Sequence, residues 1–185
     1  MYQTVVIYES KYGATGRYAQ WIAEELTCPL FKRKEFHPRD FAKYEVILYG
    51  GGLYAGGMSG IKWIAQNWKL LSDKKVILFT CGIADPEDPD NVSHIREAMA
   101  KTLSPEILRQ VQIFHLRGSM DYSRLHFIHR SMMAMLRHML LKKEPNTLRD
   151  EDRQLLKTYG KHIDFTDCKS IQPLIQSVIS LSRPE

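Results

Sequence analysis

The chain has 185 residues, of which 44% are hydrophobic and 25% charged, ordinary figures for a globular protein with room for one substantial core. Its net charge of +5 and pI near 9.1 point to an anionic partner, surface or ligand. No recognised nucleic-acid motif accompanies that charge, so nucleic acid is not the expected partner. No stretch is long and apolar enough to span a bilayer. Met1 leads straight into the first apolar run, without a basic leader, so a cytoplasmic chain is expected. Cys28, Cys81 and Cys168 are odd in number and far apart, and they form no Cys-x-x-Cys pair. Free thiols are the expectation.

The first element is the apolar run Val5-Val6-Ile7-Tyr8, which reads as a strand buried on both faces. Residues 16–26 follow, with Tyr18, Ile22 and Leu26 at helical spacing beside Trp21. Between them lies Ser10-Lys11-Tyr12-Gly13-Ala14-Thr15. A strand–turn–helix junction built from small and hydroxyl residues gathers backbone N–H groups at a helix N-terminus, which favours an anion. Thr15 is the expected helix cap. Lys11 and Arg17 add positive charge nearby.

Residues 30–36 read as a second strand whose Lys32, Arg33, Lys34 and Glu35 suit an edge position. A third strand, 45–49, runs into the glycine-rich stretch 50–57. Glycines between a buried strand and a helix (61–70) imply close approach of backbone to something. A fourth strand, 75–80, ends at Cys81-Gly82, before an acidic, proline-containing loop at 85–90 read as solvated surface. A helix at 91–103 and a fifth strand at 111–116 follow. Strands alternating with helices predict an α/β fold: a doubly wound, five-stranded parallel sheet. Its ligands belong beyond the carboxyl ends of the strands, where the loops after strands one, three and four converge.

After Gly118 the repetition breaks. Residues 119–166 form a long helical insertion before a terminal helix at 168–181. Within it, 124–143 has Leu125, Ile128, Met132, Leu136 and Met139 at helical spacing, with further apolar residues widening that stripe. Five of the eight methionines lie between Met120 and Met139, and every charge from Arg124 to Lys143 is basic. Such a surface suits an apolar, anionic partner: a carboxylated ring system, a quinone in an anionic membrane, or a protein. His126, His129 and His138 lack a local carboxylate and read as basic-face residues, so no metal site is expected.

This arrangement resembles the flavodoxin-like family over nearly the whole chain. The resemblance implies an FMN cofactor, with the phosphate held by Ser10, Lys11, Tyr12, Gly13, Ala14 and Thr15. Tyr12 departs from the family's usual small hydroxyl residue at its place. The resemblance further implies that Leu53, Tyr54, Ala55 and Gly56 cover one face of the flavin ring, and that Thr80, Cys81, Gly82 and Ile83 cover the other. Tyr54 is the expected stacking ring. Flavin chemistry belongs to the cofactor, so no catalytic residue is singled out.

Within the family the chain is similar to the long-insertion branch of menaquinone-dependent protoporphyrinogen oxidases of haem biosynthesis, whose insertion begins where Gly118 to Arg124 stand here. That likeness implies oxidation of a porphyrinogen-like substrate, electron transfer to a quinone or another small-molecule acceptor, and a peripheral place at the inner membrane face. Two alternatives stay open: a flavodoxin-type electron carrier, against which the basic pI weighs, and a flavin-free interaction module on the same fold.

Overall fold

The computed structural model describes residues 3–54 and 57–181, the side chains of residues 150 and 151 excepted. Strand β1 is Thr4–Glu9, helix α1 is Ala14–Glu25 and strand β2 is Leu30–Lys32. Residues 33–36 do not extend β2. Arg33–Glu35 turns as a single 3-10 helix, with Arg33 paired to Glu9. Strand β3 runs from Val46 to Tyr54, and the two-residue strand β4 (Gly57–Met58) folds back against it. Helix α2 is Ile61–Gln66, shorter than its sequence pattern, with a separate turn at Trp68–Leu70. Strand β5 is Lys75–Gly82, helix α3 is Pro89–Ala100, helix α4 is Pro105–Gln110 and strand β6 is Gln112–Arg117.

The five parallel strands stand in the order β2-β1-β3-β5-β6, with β2 at an edge as its charges required. Alternation decides which side chain faces which layer. Val5, Ile7, Ile47, Tyr49, Val76 and Leu78 pack in one core, reinforced by Ile61 and Ile64 of α2, Met99 of α3 and Ile107 of α4. Val6, Val46, Leu48, Ile77, Phe79 and Cys81 pack in the other, against Tyr18 and Ile22 of α1. Both faces are covered, which is why the strands read as unbroken apolar runs.

The glycine run is part of β3, not a loop after it. A Cβ on Gly50 would fall inside the Phe79 ring, and one on Gly52 would lie 2.7 Å from the Tyr54 ring. The close approach expected of these glycines is made by the protein's own aromatic rings.

The insertion is rooted by a small antiparallel ribbon that the sequence pattern did not reveal: β7 (Ser119–Asp121) paired with β8 (His162–Asp164). Between its strands lie helix α5 (Phe127–Leu141) and helix α6 (Asp150–Thr158). Helix α7 (Gln172–Leu181) follows a 3-10 turn and buries Leu174, Ile175 and Val178 in the core shared with α1. The stripe of α5 that faces inward matches the one read from the sequence only in part. Leu125 and Leu140 are buried and His129, Met133 and Leu136 are half-buried. Ile128, Met132 and Met139 are 64%, 38% and 50% exposed, and Phe127 and Met135 also face solvent. A helix apolar on most sides offers no periodicity that selects the buried face.

Candidate functional site

The loops after β1 and β5 and the end of β3 meet at one edge of the sheet. There they wall an open cavity with about 680 Å³ of free space, mouth included. One wall comes from the sheet body: Tyr12, Ala14, Thr15, Leu53, Tyr54, Cys81, Gly82 and Ile83. The other comes from the start of the insertion and from α5: Met120, Leu125, His129, Met132 and Met133.

At the anion loop, Gly13 rather than Thr15 occupies the helix cap. Gly13 has φ +104°, a conformation that disfavours side chains, and α1 starts behind it with no side-chain cap. A Cβ at Gly13 would meet nothing within 4 Å, so the space over the helix N-terminus is open. Ser10 Oγ accepts the Gly13 N–H at 3.1 Å and braces the turn. Thr15 is buried inside the first helical turn, where its side chain hydrogen-bonds the Cys81 sulfur. The open helix end, the left-handed glycine and the absence of any carboxylate between Ser10 and Thr15 fit a phosphate. Lys11 is exposed beside the loop. Arg17 instead reaches across to the insertion's root, where it pairs with Asp164 at 2.7 Å and donates to Thr166 at 2.6 Å. Burial works to raise the Asp164 pKa, but the bonds from Arg17 and Thr166 prevail and hold it at about 2.

Tyr54 folds back over Gly52 and lines the cavity. Its hydroxyl accepts the Lys11 N–H at 3.3 Å, and burial is the main reason its pKa lies above the ordinary tyrosine value. Its ring stacks on His129 with centroids 5.7 Å apart and planes 17° apart, and meets Tyr12 edge-on at 5.6 Å. Ala55 and Gly56, expected beside it, lie outside the described residues. Cys81 is buried under Gly118, and burial pushes its thiol up to about 12, so it acts as a packed small side chain and not as a thiolate. Thr80 is not in the cavity wall. Alternation along β5 turns it to the opposite face, where its hydroxyl hydrogen-bonds His115 Nδ1 at 2.8 Å. Ser10, Lys11 and Gly13 shape the loop without lining the cavity.

Three residues gain a place that sequence reading did not give them. Arg117 joins the loop after β5 to the insertion: it donates to the Ile83 carbonyl and to Gln154, pairs with Asp85 at 3.2 Å and lies over the Phe165 ring. Asp85 is therefore anchored, unlike the solvated surface expected of the acidic loop. Gly118 gives the cavity floor its depth, since a Cβ there would sit 2.9 Å from the Cys81 sulfur. His129, read from sequence as one of several basic-face residues, points inward. Burial, with Lys11 and His126 nearby, lowers its pKa below the ordinary histidine value. Among the described residues no helix is long and apolar enough to cross a membrane.

The fold and this edge define a protein of the flavodoxin-like α/β class. The family described as the flavodoxin domain matches residues 5–147, and the chain belongs to it. No curated protein matches. Among solved structures the chain is similar to oxidised Flavodoxin 2 from Bacillus cereus, at 18% identity over 62% of this chain and 85% of that one, with a TM-score of 0.42. It is also similar to a flavoprotein in complex with FMN from Lactobacillus acidophilus NCFM, at 17% identity over 63% of this chain and 93% of that one, with a TM-score of 0.41.

Proposed function

We propose that this chain is an FMN-binding oxidoreductase that acts on an apolar, anionic substrate admitted beneath the insertion. Membership of the flavodoxin domain family supports the cofactor. The observation that supports an apolar substrate is the composition of the cavity: one wall is the loop-bearing edge of the sheet, and the opposite wall is the insertion, while the acid-free charge of residues 124–143 supports the anionic part. An electron carrier would expose its cofactor edge to a partner protein. Leu125, Met132 and Met133 line the cavity opposite the sheet edge with apolar side chains, which supports a site that holds its own substrate.

In this reading the loop from Ser10 to Thr15 takes the phosphate on backbone N–H groups and the α1 N-terminus. Leu53 and Tyr54 flank one side of the ring, and Cys81, Gly82 and Ile83 the other. Leu125, Met132 and Met133 give the substrate side its apolar lining. FMN, when bound, supplies one- and two-electron transfer. The residues bind, orient and seal.

The more specific form of the proposal is oxidation of a porphyrinogen-like substrate, with electrons passed to a quinone. It is supported by the place of the insertion and by its Met-rich, acid-free helix. The outward face of α5 carries Phe127, Ile128, Met135 and Met139, with Arg124 before it and Lys142 and Lys143 behind, a pattern that suits peripheral contact with an anionic bilayer. The test is anaerobic mixing of the FMN-loaded chain with protoporphyrinogen and a menaquinone analogue. Growth of porphyrin fluorescence that depends on both supports this form. FMN reduction by a redox-partner protein, with no porphyrin formed, returns the reading to a carrier.

A further inference from the structure

Three rings from three separate elements close on one another at the outer edge of the cavity. Tyr12 comes from the anion loop, Tyr54 from the end of β3 and His129 from the first turn of α5. The Tyr12 hydroxyl lies 2.7 Å from His129 Nδ1 and accepts the His126 N–H at 3.2 Å. Tyr12 meets both other rings edge-on, at 5.6 Å for Tyr54 and 5.7 Å for His129, while Tyr54 and His129 stack. Tyr54 in turn accepts the Lys11 N–H. The backbone of Lys11 and the side chain of Tyr12, successive residues of the anion loop, are thus both fixed by a cluster that includes the insertion.

The rest of α5 holds to the sheet body weakly. Its outward face is exposed, and its C-terminal half leans on the insertion itself, with Arg137 over Tyr159 and Lys143 paired to Asp152. Its N-terminal turn is braced by Arg130, which donates to the carbonyls of Tyr122 and Ser123, also within the insertion. The His126 N–H and His129 Nδ1 both reach the Tyr12 hydroxyl, which ties the start of α5 and its cap to the sheet body.

We propose that His129 is a positioning residue that couples the insertion to the anion loop, its bond to Tyr12 and its stack on Tyr54 making occupancy of the loop and closure of α5 over the cavity a single event. The proposal rests on the FMN reading above. An anion loop binds only when its N–H groups converge, and the conformation of Gly13 follows the residue before it. An anion that orders the loop therefore orders Tyr12, and through Tyr12 it orders His129 and the first turns of α5. By reciprocity, fixing α5 raises the affinity of the loop for its anion.

The substitutions separate the two contacts. Tyr12→Phe removes one oxygen. His129→Phe keeps a ring for the stack and removes the bond to Tyr12. His129→Asn keeps a polar group at the place of Nδ1 and removes the ring. FMN affinity is read by flavin fluorescence quenching on the full chain, and deuterium uptake of the first two turns of α5 is read with and without FMN. The proposal expects FMN to slow exchange in those turns of the wild type. Tyr12→Phe and His129→Phe each weaken FMN binding by about three- to tenfold, the range of one net hydrogen bond, and abolish the protection of α5. The double variant is no weaker than either single one, and His129→Asn recovers part of the protection. FMN binding with unchanged affinity and unchanged α5 protection in both single variants overturns the coupling and leaves the FMN reading standing. Fully additive losses in the double variant do the same. Failure of the wild type to bind FMN overturns both. If His129→Phe does not fold, Tyr12→Phe alone carries the test, because unchanged α5 protection in that variant is sufficient to overturn the coupling.

Discussion

The hydroxyl of Tyr18, on α1, donates to the carbonyl of Arg117 at 2.7 Å, a bond that spans 99 residues of sequence. It also accepts the Asp167 N–H at 3.1 Å. One fully buried side chain therefore ties the helix behind the anion loop to the strand end where the insertion leaves the sheet and to the segment where it returns. The insertion's root is a fixed part of the edge that carries the site.

The anion loop is tested by charge and by strain separately. Gly13→Ala places a side chain at φ +104° with no neighbour to strike, so it costs about 1–2 kcal/mol of backbone strain and leaves weakened FMN binding. Gly13→Asp adds a negative charge where phosphate must sit and is expected to abolish binding. Thermal unfolding and FMN titration of both variants check the distinction. Equal FMN affinity in the two would remove the phosphate from this loop.

The glycine run of β3 is tested through packing. Gly50→Ala drives a Cβ into the Phe79 ring, in a core with no room to give, and is expected to cost about 1–3 kcal/mol or more in urea unfolding. Because the two residues share one contact, Gly50→Ala combined with Phe79→Leu should lose less than the sum of the single changes. Additive losses would mean that the glycine serves some other close approach.

Much of this was legible in the sequence, and the misses share a cause. The strand runs at Val5, Val46 and Val76 revealed themselves because both faces of the sheet are covered and no polar residue interrupts them. The turn from Ser10 to Gly13 was legible because it is local, a junction between a strand and the helix that follows. Contacts made at long range left no local trace. The inward face of α5 was legible only in part, at Leu125 and Leu136, because apolar residues on most sides of the helix leave no periodicity that selects one face. His129 escaped because its partner, Tyr12, is 117 residues away. The β7–β8 ribbon is only three residues a side and closes a segment of forty residues, 122–161, so no local pattern marks it.

Stability in mild acid is expected to report on His115. Burial, helped by Arg96, lowers its pKa from 6.5 to about 4 in the folded chain. Between those values the unfolded chain binds a proton that the folded chain refuses. Stability is therefore full above pH 6.5 and falls as the pH drops toward 4. His115→Asn keeps a polar partner for Thr80 and removes the titration, so its melting temperature should vary less with pH across that window. An unchanged slope would contradict the assignment.

The outward face of α5 is tested on vesicles. Replacing Arg124 and Lys142 with Gln should weaken binding to anionic vesicles by about 2 kcal/mol at low salt, roughly thirtyfold, and added salt should shrink the difference. Met135→Asp should weaken binding through the apolar face, with FMN content unchanged. No preference for anionic over neutral vesicles in the wild type would remove the bilayer from the account.

The most direct test of the central claim is titration of the purified chain with FMN, followed by flavin fluorescence and the visible spectrum. The account predicts saturable quenching at one FMN per chain, at micromolar concentration or below, with loss of binding in Gly13→Asp. No binding to the folded wild-type chain in either redox state of FMN would contradict it.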